Sequence, residues 1–221
     1  MTSVADPRRA AAGADGGAPT AVAQRAADIC LSAVGLVVLA LPMLIIALAI
    51  RLDGGPALFG QRRVGLHRSP FTMYKFRSMR PGGDDRAHRE LIARELRGED
   101  TTVDGSSKLN DERVTKVGRW LRETSLDELP QLINVLRGDM SLVGPRPCLE
   151  WEAEMFPAQF AERFTVPPGI TGLWQVSGRS TLGTLDMLQL DLDYVRSRSL
   201  RTYVRILIGT VAALYRGDGA R

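Results

Sequence analysis

The strongest pattern in the chain is one of apolar length. From Ile29 to Ile50 there are 22 residues without a charge, ICLSAVGLVVLALPMLIIALAI. That is longer than a helix buried in a globular core needs, and it reaches bilayer-spanning length. Beyond it the periods are those of a folded domain. In FTMYKFRSM (Phe71–Met79) the residues Met73, Lys75, Arg77 and Met79 alternate with Tyr74, Phe76 and Ser78, the period of a strand. DDRAHRELIAREL predicts an amphipathic helix with Leu91, Ile92 and Leu96 on one side, and RGEDTTVDGSS after it predicts a surface loop. Leu129, Leu132, Ile133 and Leu136 fall at i, i+3, i+4 and i+7, so a further helix with that stripe buried is expected, stopped by Gly138. Ser125 and Glu128 fit an S-x-x-E capping box at its start, although Pro130 then sits deep for a first-turn proline.

The apolar run admits three readings. A cleaved signal peptide is the poorest, because the run is too long and begins too late. A simple spanning helix is the default. A helix that enters the bilayer, breaks and returns to the same side is favoured by two features. Pro42 removes a backbone hydrogen bond inside the run, and arginines flank both ends: Arg25 before it, and Arg51, Arg62, Arg63 and Arg68 after it. On these residues alone the spanning helix keeps a slight lead. The Ala-, Gly- and Pro-rich start, MTSVADPRRAAAGADGGAPT, has no apolar period and reads as a disordered tail.

Charge and cysteine usage narrow the setting. The net charge of +4 is carried largely by arginine and suits acidic partners such as anionic lipid, nucleic acid or a phosphorylated small molecule. The two cysteines, Cys30 and Cys148, belong to no C-x-x-C pair. A disulfide framework or zinc site is therefore not expected, and a reducing compartment fits. His67 and His88 lie far apart and are expected at the surface.

The densest chemistry lies in SLDELPQLINVLRGDMSLVGPRP. Acidic residues at a helix start commonly do no more than cap free N–H groups. Here Arg119 and Arg122 stand close before Asp127 and Glu128, and Arg146 is clamped between Pro145 and Pro147, which restrict its backbone. A stiff arginine suits recognition of paired phosphate oxygens. Carboxylates could hold Mg²⁺ against a diphosphate, and an aspartate can attack phosphorus. Neither a G-x-x-x-x-G-K-[ST] motif nor a kinase-type glycine loop is present, so an ATP site lacks its usual support.

Taken in order, the apolar run with its internal proline, RVGLHRSPFTMYKFRSM, DERVTKVGRWLRETSLDELPQLINVLRGDMSLVGPRP, PPGITGLWQVSGRS and a later D-x-x-Y (Asp191, Tyr194) resemble the bacterial sugar transferase family, the monotopic phosphoglycosyl transferases. The resemblance covers roughly residues 25–215. It implies an α/β fold, mostly helical with a small sheet, in a monotopic membrane protein. Its parts would be a disordered tail over 1–24, a re-entrant helix over 25–51 broken at Pro42, and a cytoplasmic catalytic domain over 52–221 resting on the inner membrane through interfacial amphipathic helices. The C-terminal TYVRILIGTVAALYRG is similar to such an interfacial helix.

The activity it implies is transfer of a sugar-1-phosphate from a nucleotide sugar, with uridine the expected nucleoside, to polyprenyl (undecaprenyl) phosphate. Asp127 would be the nucleophile, forming a covalent phospho-sugar intermediate. Glu128 beside it would be the Mg²⁺ ligand, and Arg122 and Arg146 would hold phosphates. Lys75, Arg77 and Arg179 would line the pocket, with Pro168, Gly169 and Gly172 shaping a loop near it and Trp174 packing or anchoring at the interface. One departure is visible. The resemblance leads one to expect an acidic residue near Tyr203, yet no Asp or Glu occurs from Tyr194 to Tyr215. Asp191 or Asp193 would then take over that role, or the donor contacts differ. Two other classes compete: a membrane-anchored basic adaptor without catalytic activity, and a nucleic-acid-binding protein, the latter opposed by the apolar run and by the absence of any known nucleic-acid module.

Overall fold

The structure, a computed structural model, describes residues 17–80, 82, 85–99, 101, 113–178 and 182–216. It is mostly helical with two small sheets. The apolar run folds as two helices, α1 (Gly17–Val38) and α2 (Ala40–Leu52). Residues 17–24, expected in the tail, are thus the first turns of α1. The helical ladder is interrupted at Leu39 (φ −92°, ψ 4°), three residues before Pro42, and not at the proline itself. The physical reason is that a proline ring collides with the carbonyl four residues back and leaves it unbonded. The strain is therefore released one turn upstream, and Pro42 sits in the first turn of α2, where its missing N–H costs nothing.

Helix α1 is patterned inside out. Gln24, Asp28 and Ser32, spaced by four, are buried against the rest of the molecule. At the apex of the helix pair, Val34, Val37, Val38, Leu41, Leu44 and Ile45 are 59–78% exposed. In water this arrangement would be unfavourable, because burying polar groups and exposing large apolar ones reverses the usual preference. Helix α1, from Pro19 onward, is long and apolar enough to cross a membrane. Yet both helices return to the same domain. Gly35 lies against Leu132, and Ile46 and Ile50 pack into a cluster with Ala57, Phe76 and Leu121.

A hairpin follows, β1 (Leu58–Val64) and β2 (Pro70–Phe76), antiparallel from Leu58↔Phe76 to Val64↔Pro70. The strand expected over 71–79 therefore ends at Phe76, and Met79 forms a separate bridge to Val114. Helix α3 (Arg86–Leu96) matches its expected span closely. Helix α4 (Lys116–Glu123) is capped by Thr115, whose hydroxyl accepts the Gly118 N–H at 2.9 Å.

A 3₁₀ turn (Leu126–Glu128), α5 (Gln131–Arg137) and β3 (Ser141–Val143) come next. After them come α6 (Glu150–Met155), a 3₁₀ segment (Ala158–Thr165), β4 (Gly169–Thr171), α7 (Leu173–Gly178), α8 (Thr184–Arg196) and α9 (Leu200–Arg216). Strands β3 and β4 pair in parallel, Ser141↔Gly169 and Val143↔Thr171. Phe156, Phe160, Phe164, Leu188 and Leu192 form one core cluster; Val143, Val166, Tyr194, Tyr203 and Ile206 form another.

Two sequence expectations fail around α5. Ser125 is left-handed (φ 56°) and caps nothing, so the predicted capping box does not form and the helix begins after Pro130. The fully buried face of α5 is Gln131, Asn134 and Val135, while Leu129, Leu132, Ile133 and Leu136 are half-buried. Asn134 can be buried because its amide is satisfied on both sides. It donates to Thr72 O (2.7 Å) and accepts the Tyr74 N–H (3.0 Å), which staples α5 to β2.

Candidate active site

Asp127 and Glu128 sit on the 3₁₀ turn between α4 and α5. The left-handed Ser125 reverses the chain after α4 and turns Asp127 inward, leaving it 8% exposed. Lys75, on β2, reaches Glu128 at 3.1 Å. Burial pushes the Asp127 carboxyl up to about 6; Lys75 pulls it down, Glu128 pushes it further up and Arg122 pulls it down. A buried carboxyl with cations and a second carboxylate around it is the environment in which reactive carboxyls are tuned.

Arg146 stands in an adjoining group. The loop Val143–Pro147 is fixed through its backbone to a degree its prolines alone do not convey. Ser141 N–H donates to Pro168 O (2.8 Å), Gly144 N–H to Thr171 O (2.9 Å) and Gly169 N–H to Pro145 O (2.9 Å). The two loops interlock so closely that a Cβ on Gly144 would lie 2.4 Å from Pro167 O, and one on Gly169 would lie 2.1 Å from Gly144 N. Only glycine fits there.

Two buried arginines hold the next carbonyls: Arg163 donates to Arg146 O at 2.7 Å, and Arg63 to Pro147 O at 3.1 Å. The Arg146 guanidinium lies 5.4 Å from the Trp174 ring centroid. Trp174 is buried, so it packs beneath Arg146 and is no interface anchor.

The sequence reading places Arg63 only as a flank of the apolar run, whereas it is buried at this loop, and does not single out Arg163. Arg63 is lowered to about 10 by burial, against the pull of Glu152; Arg146 also lowers it, and Glu128 raises it. Its charge is thus felt by both the Arg146 group and Glu128. Arg163 is paired with Asp191 at 2.7 Å, with both side chains almost wholly buried. The only hint in the sequence is an arginine set among Phe160 and Phe164 in FAERFTV, a pattern that does not by itself announce an ion pair.

The remaining expected site residues scatter. Arg77 crosses Gly55, whose missing Cβ leaves room for its guanidinium, and donates to Ile50 O at 3.3 Å, closing the end of α2. Arg179 lies outside the described residues. Asp191 is consumed by Arg163, Tyr194 donates to Val143 O (3.0 Å), and Asp193 accepts from Gln189 (3.0 Å). The D-x-x-Y pair is thus internal scaffolding. The acidic partner of Tyr203 comes from 175 positions away. Its hydroxyl donates to Asp28 Oδ1 at 2.7 Å, and burial together with that carboxylate holds Tyr203 protonated well above the ordinary phenol range. His67 is exposed as expected, whereas His88 is half-buried and bonded to Glu152 at 3.1 Å. No disulfide forms; Cys30 is exposed and Cys148 buried.

Among the described residues no three His, Cys, Asp or Glu side chains cluster to hold a metal. Mg²⁺ keeps several waters and takes one or two protein carboxylates together with substrate phosphates, so Asp127 and Glu128, the latter paired with Lys75, are the residues that would offer it oxygens.

A paired-carboxylate turn beside a rigid arginine loop, on a domain that carries two outward-apolar helices, is the arrangement of a protein suited to handling phosphate. The chain belongs to the bacterial sugar transferase family, which it matches over residues 19–217. It is 40% identical over 202 residues to a galactosyl transferase, CpsE, of Streptococcus agalactiae, covering 90% of this chain and 44% of that one. It is 41% identical over 197 residues to an undecaprenyl-phosphate galactose phosphotransferase of Salmonella typhimurium, covering 89% and 41%. It is also 40% identical over 208 residues to a UDP-glucose:undecaprenyl-phosphate glucose-1-phosphate transferase of Caulobacter vibrioides, covering 89% and 71%. The chain thus spans less than half the length of the first two relatives.

Proposed function

We propose that the protein transfers a sugar-1-phosphate from a uridine diphosphate sugar to undecaprenyl phosphate at the membrane surface; the name of the Caulobacter vibrioides relative describes such a transfer, of glucose-1-phosphate, for that protein. The observation that carries this reading is the inward-turned Asp127, beside Glu128 and within reach of the charges of Lys75 and Arg122. In its ionised form an Asp127 oxygen attacks the sugar-side phosphorus of the donor. The bond from that phosphorus to the bridging oxygen breaks, and UMP leaves with the electron pair. An oxygen of the lipid phosphate then attacks the same phosphorus, the Asp127–phosphorus bond breaks, and the product is a lipid diphosphate sugar with free carboxylate restored.

Lys75 orients Glu128, and Arg122 and Arg146 offer their guanidinium donors to the anionic oxygens. Glu128, with donor phosphate oxygens, would hold a Mg²⁺ ion whose charge offsets that of the diphosphate.

The two halves of the apolar run support a re-entrant path. Residues 24–35 and 46–50 touch one domain, so both ends of the run stand on the side where that domain lies, which in this reading is the cytoplasmic face. Single cysteines at positions 20 and 58, in a chain with Cys30 and Cys148 both replaced, should then be labelled from the same side of a sealed vesicle; opposite sides would restore a spanning helix.

The test of the activity is release of UMP from UDP-galactose or UDP-glucose, dependent on undecaprenyl phosphate and abolished by EDTA. Donor labelled in its sugar-side phosphate should leave a phospho-sugar on Asp127. Product formation without that adduct would remove the covalent step while keeping the transfer.

A further inference from the structure

The polar face of α1 reaches two segments that carry the active site. Arg25 donates to Val135 O (2.5 Å) and Leu136 O (2.9 Å), the last carbonyls of α5, whose other end is joined through Pro130 and Leu129 to the dyad. A cation there also complements the negative end of the helix. One turn further along α1, Asp28 Oδ1 accepts two bonds at once: the Leu142 N–H of β3 at 2.9 Å and the Tyr203 hydroxyl of α9 at 2.7 Å. Strand β3 runs directly into Gly144, Pro145 and Arg146. Gln24, one turn before Asp28, donates to Ser199 O (3.3 Å) and accepts from Arg198 (2.6 Å) at the start of α9. The opposite face of α1 presents Val22, Ile29, Val34 and Val37 outward.

We propose that Arg25 and Asp28 are positioning residues of the transfer site: from the membrane-facing helix they fix α5 behind Asp127 and β3 ahead of Arg146, so that the geometry of the site depends on how α1 is seated. This rests on the transferase reading above. The two contacts are placed for that role. Arg25 grips α5 along its axis, the direction in which a slip would carry the dyad turn. Asp28 grips β3 by a backbone N–H, which fixes the strand irrespective of side-chain repacking. In-line displacement at phosphorus is sensitive to such shifts, and about 1 Å of misplacement costs on the order of 100-fold in rate. Neither residue touches the reacting atoms, so both act through the segments they hold.

The test uses the full chain in lipid nanodiscs, with Arg25→Ala, Arg25→Lys, Asp28→Ala, Asp28→Asn and Tyr203→Phe. Arg25→Ala and Asp28→Ala should each lower kcat for UMP release by roughly 10- to 100-fold, with donor KM within about twofold of wild type. Asp28→Asn keeps an oxygen able to accept both bonds and should restore most of kcat. Tyr203→Phe removes one of the two bonds on Asp28 and should fall between.

Hydrogen exchange supplies an arm independent of turnover. The Leu142 amide should exchange faster in Asp28→Ala, and the last turn of α5 faster in Arg25→Ala, while α4 stays protected. Unchanged exchange at those amides, an Asp28→Asn as impaired as Asp28→Ala, or loss of protection throughout the domain would overturn the proposal. A wild-type chain that releases no UMP would instead overturn the transferase reading, leaving the exchange result to judge the coupling.

Discussion

The dyad turn and the Val143–Pro147 loop are built in opposite ways. The loop is over-determined: parallel strand bonds, two glycines that admit no Cβ, two buried arginines on its carbonyls and an indole under its guanidinium. The turn that carries Asp127 is short, begins at a left-handed serine, and holds a carboxyl that burial has pushed up to about 6. In the proposed reaction the rigid donors would meet a charge that arrives with the substrate, whereas Asp127 would be a carboxylate that burial leaves poorly stabilised before it reacts. The comparison teaches that the burial costs at the loop are met by paired partners, Arg163 with Asp191 and Arg63 with Glu152, whereas the buried Asp127 is left with its carboxyl raised.

The largest test of that contrast is Asp127→Asn. Turnover should fall by about 10³-fold or more, while the protein becomes more stable at neutral pH. The sign follows from linkage. Because the folded-state value is raised, the Asp127 contribution favours folding below the unfolded carboxyl range and is lost as pH rises through about 6. Melting midpoints of variant and wild type should therefore converge near pH 4 and separate at pH 7 to 8. A variant less stable than wild type at neutral pH would break the contrast.

At the loop, Arg163→Met leaves Asp191 buried and uncompensated and should cost roughly 3–5 kcal/mol, measured by denaturant or thermal unfolding. The double change with Asp191→Leu should recover much of it. Arg146→Lys keeps charge but gives up the fork over Trp174, and should raise donor KM by about tenfold with little loss of stability. Lys75→Met removes the cation that most lowers Asp127, so the acid limb of the kcat/KM profile should move to higher pH; a shift downward would contradict the assignment of that limb to Asp127. Smallest of all, Thr115→Ala removes the cap of α4 and should cost about 1 kcal/mol without moving the profile.

Much of the candidate site was legible in the chain because its signals are local. The Asp127–Glu128 pair, Arg122 close before it and the two prolines around Arg146 are all short-range, and Lys75 falls on the strand face that its alternation predicts. Arg77 shares that period, yet it leaves the strand and binds Ile50 O, because β2 ends at Phe76 where α2 closes over it. The apolar stripe of α5 misled for a related reason. Its half-buried leucines partly face α1, a helix distant in sequence, while Asn134 takes the buried side by satisfying β2.

By itself the sequence determined the apolar run and its proline, the strand that ends at Phe76, helix α3 and the acidic pair Asp127–Glu128. Each of these is written in the spacing of neighbouring residues or in a backbone rule that acts within one turn. Only the tertiary structure decided that Asp28 is the acidic partner of Tyr203, that Asp191 is spent on Arg163, and that Arg25 reaches the helix behind the dyad. Those pairings join residues 175, 28 and 110 positions apart. Their energy comes from bringing opposite charges or hydrogen-bonding groups together in places that water has left, and no local pattern records which distant partner will be there.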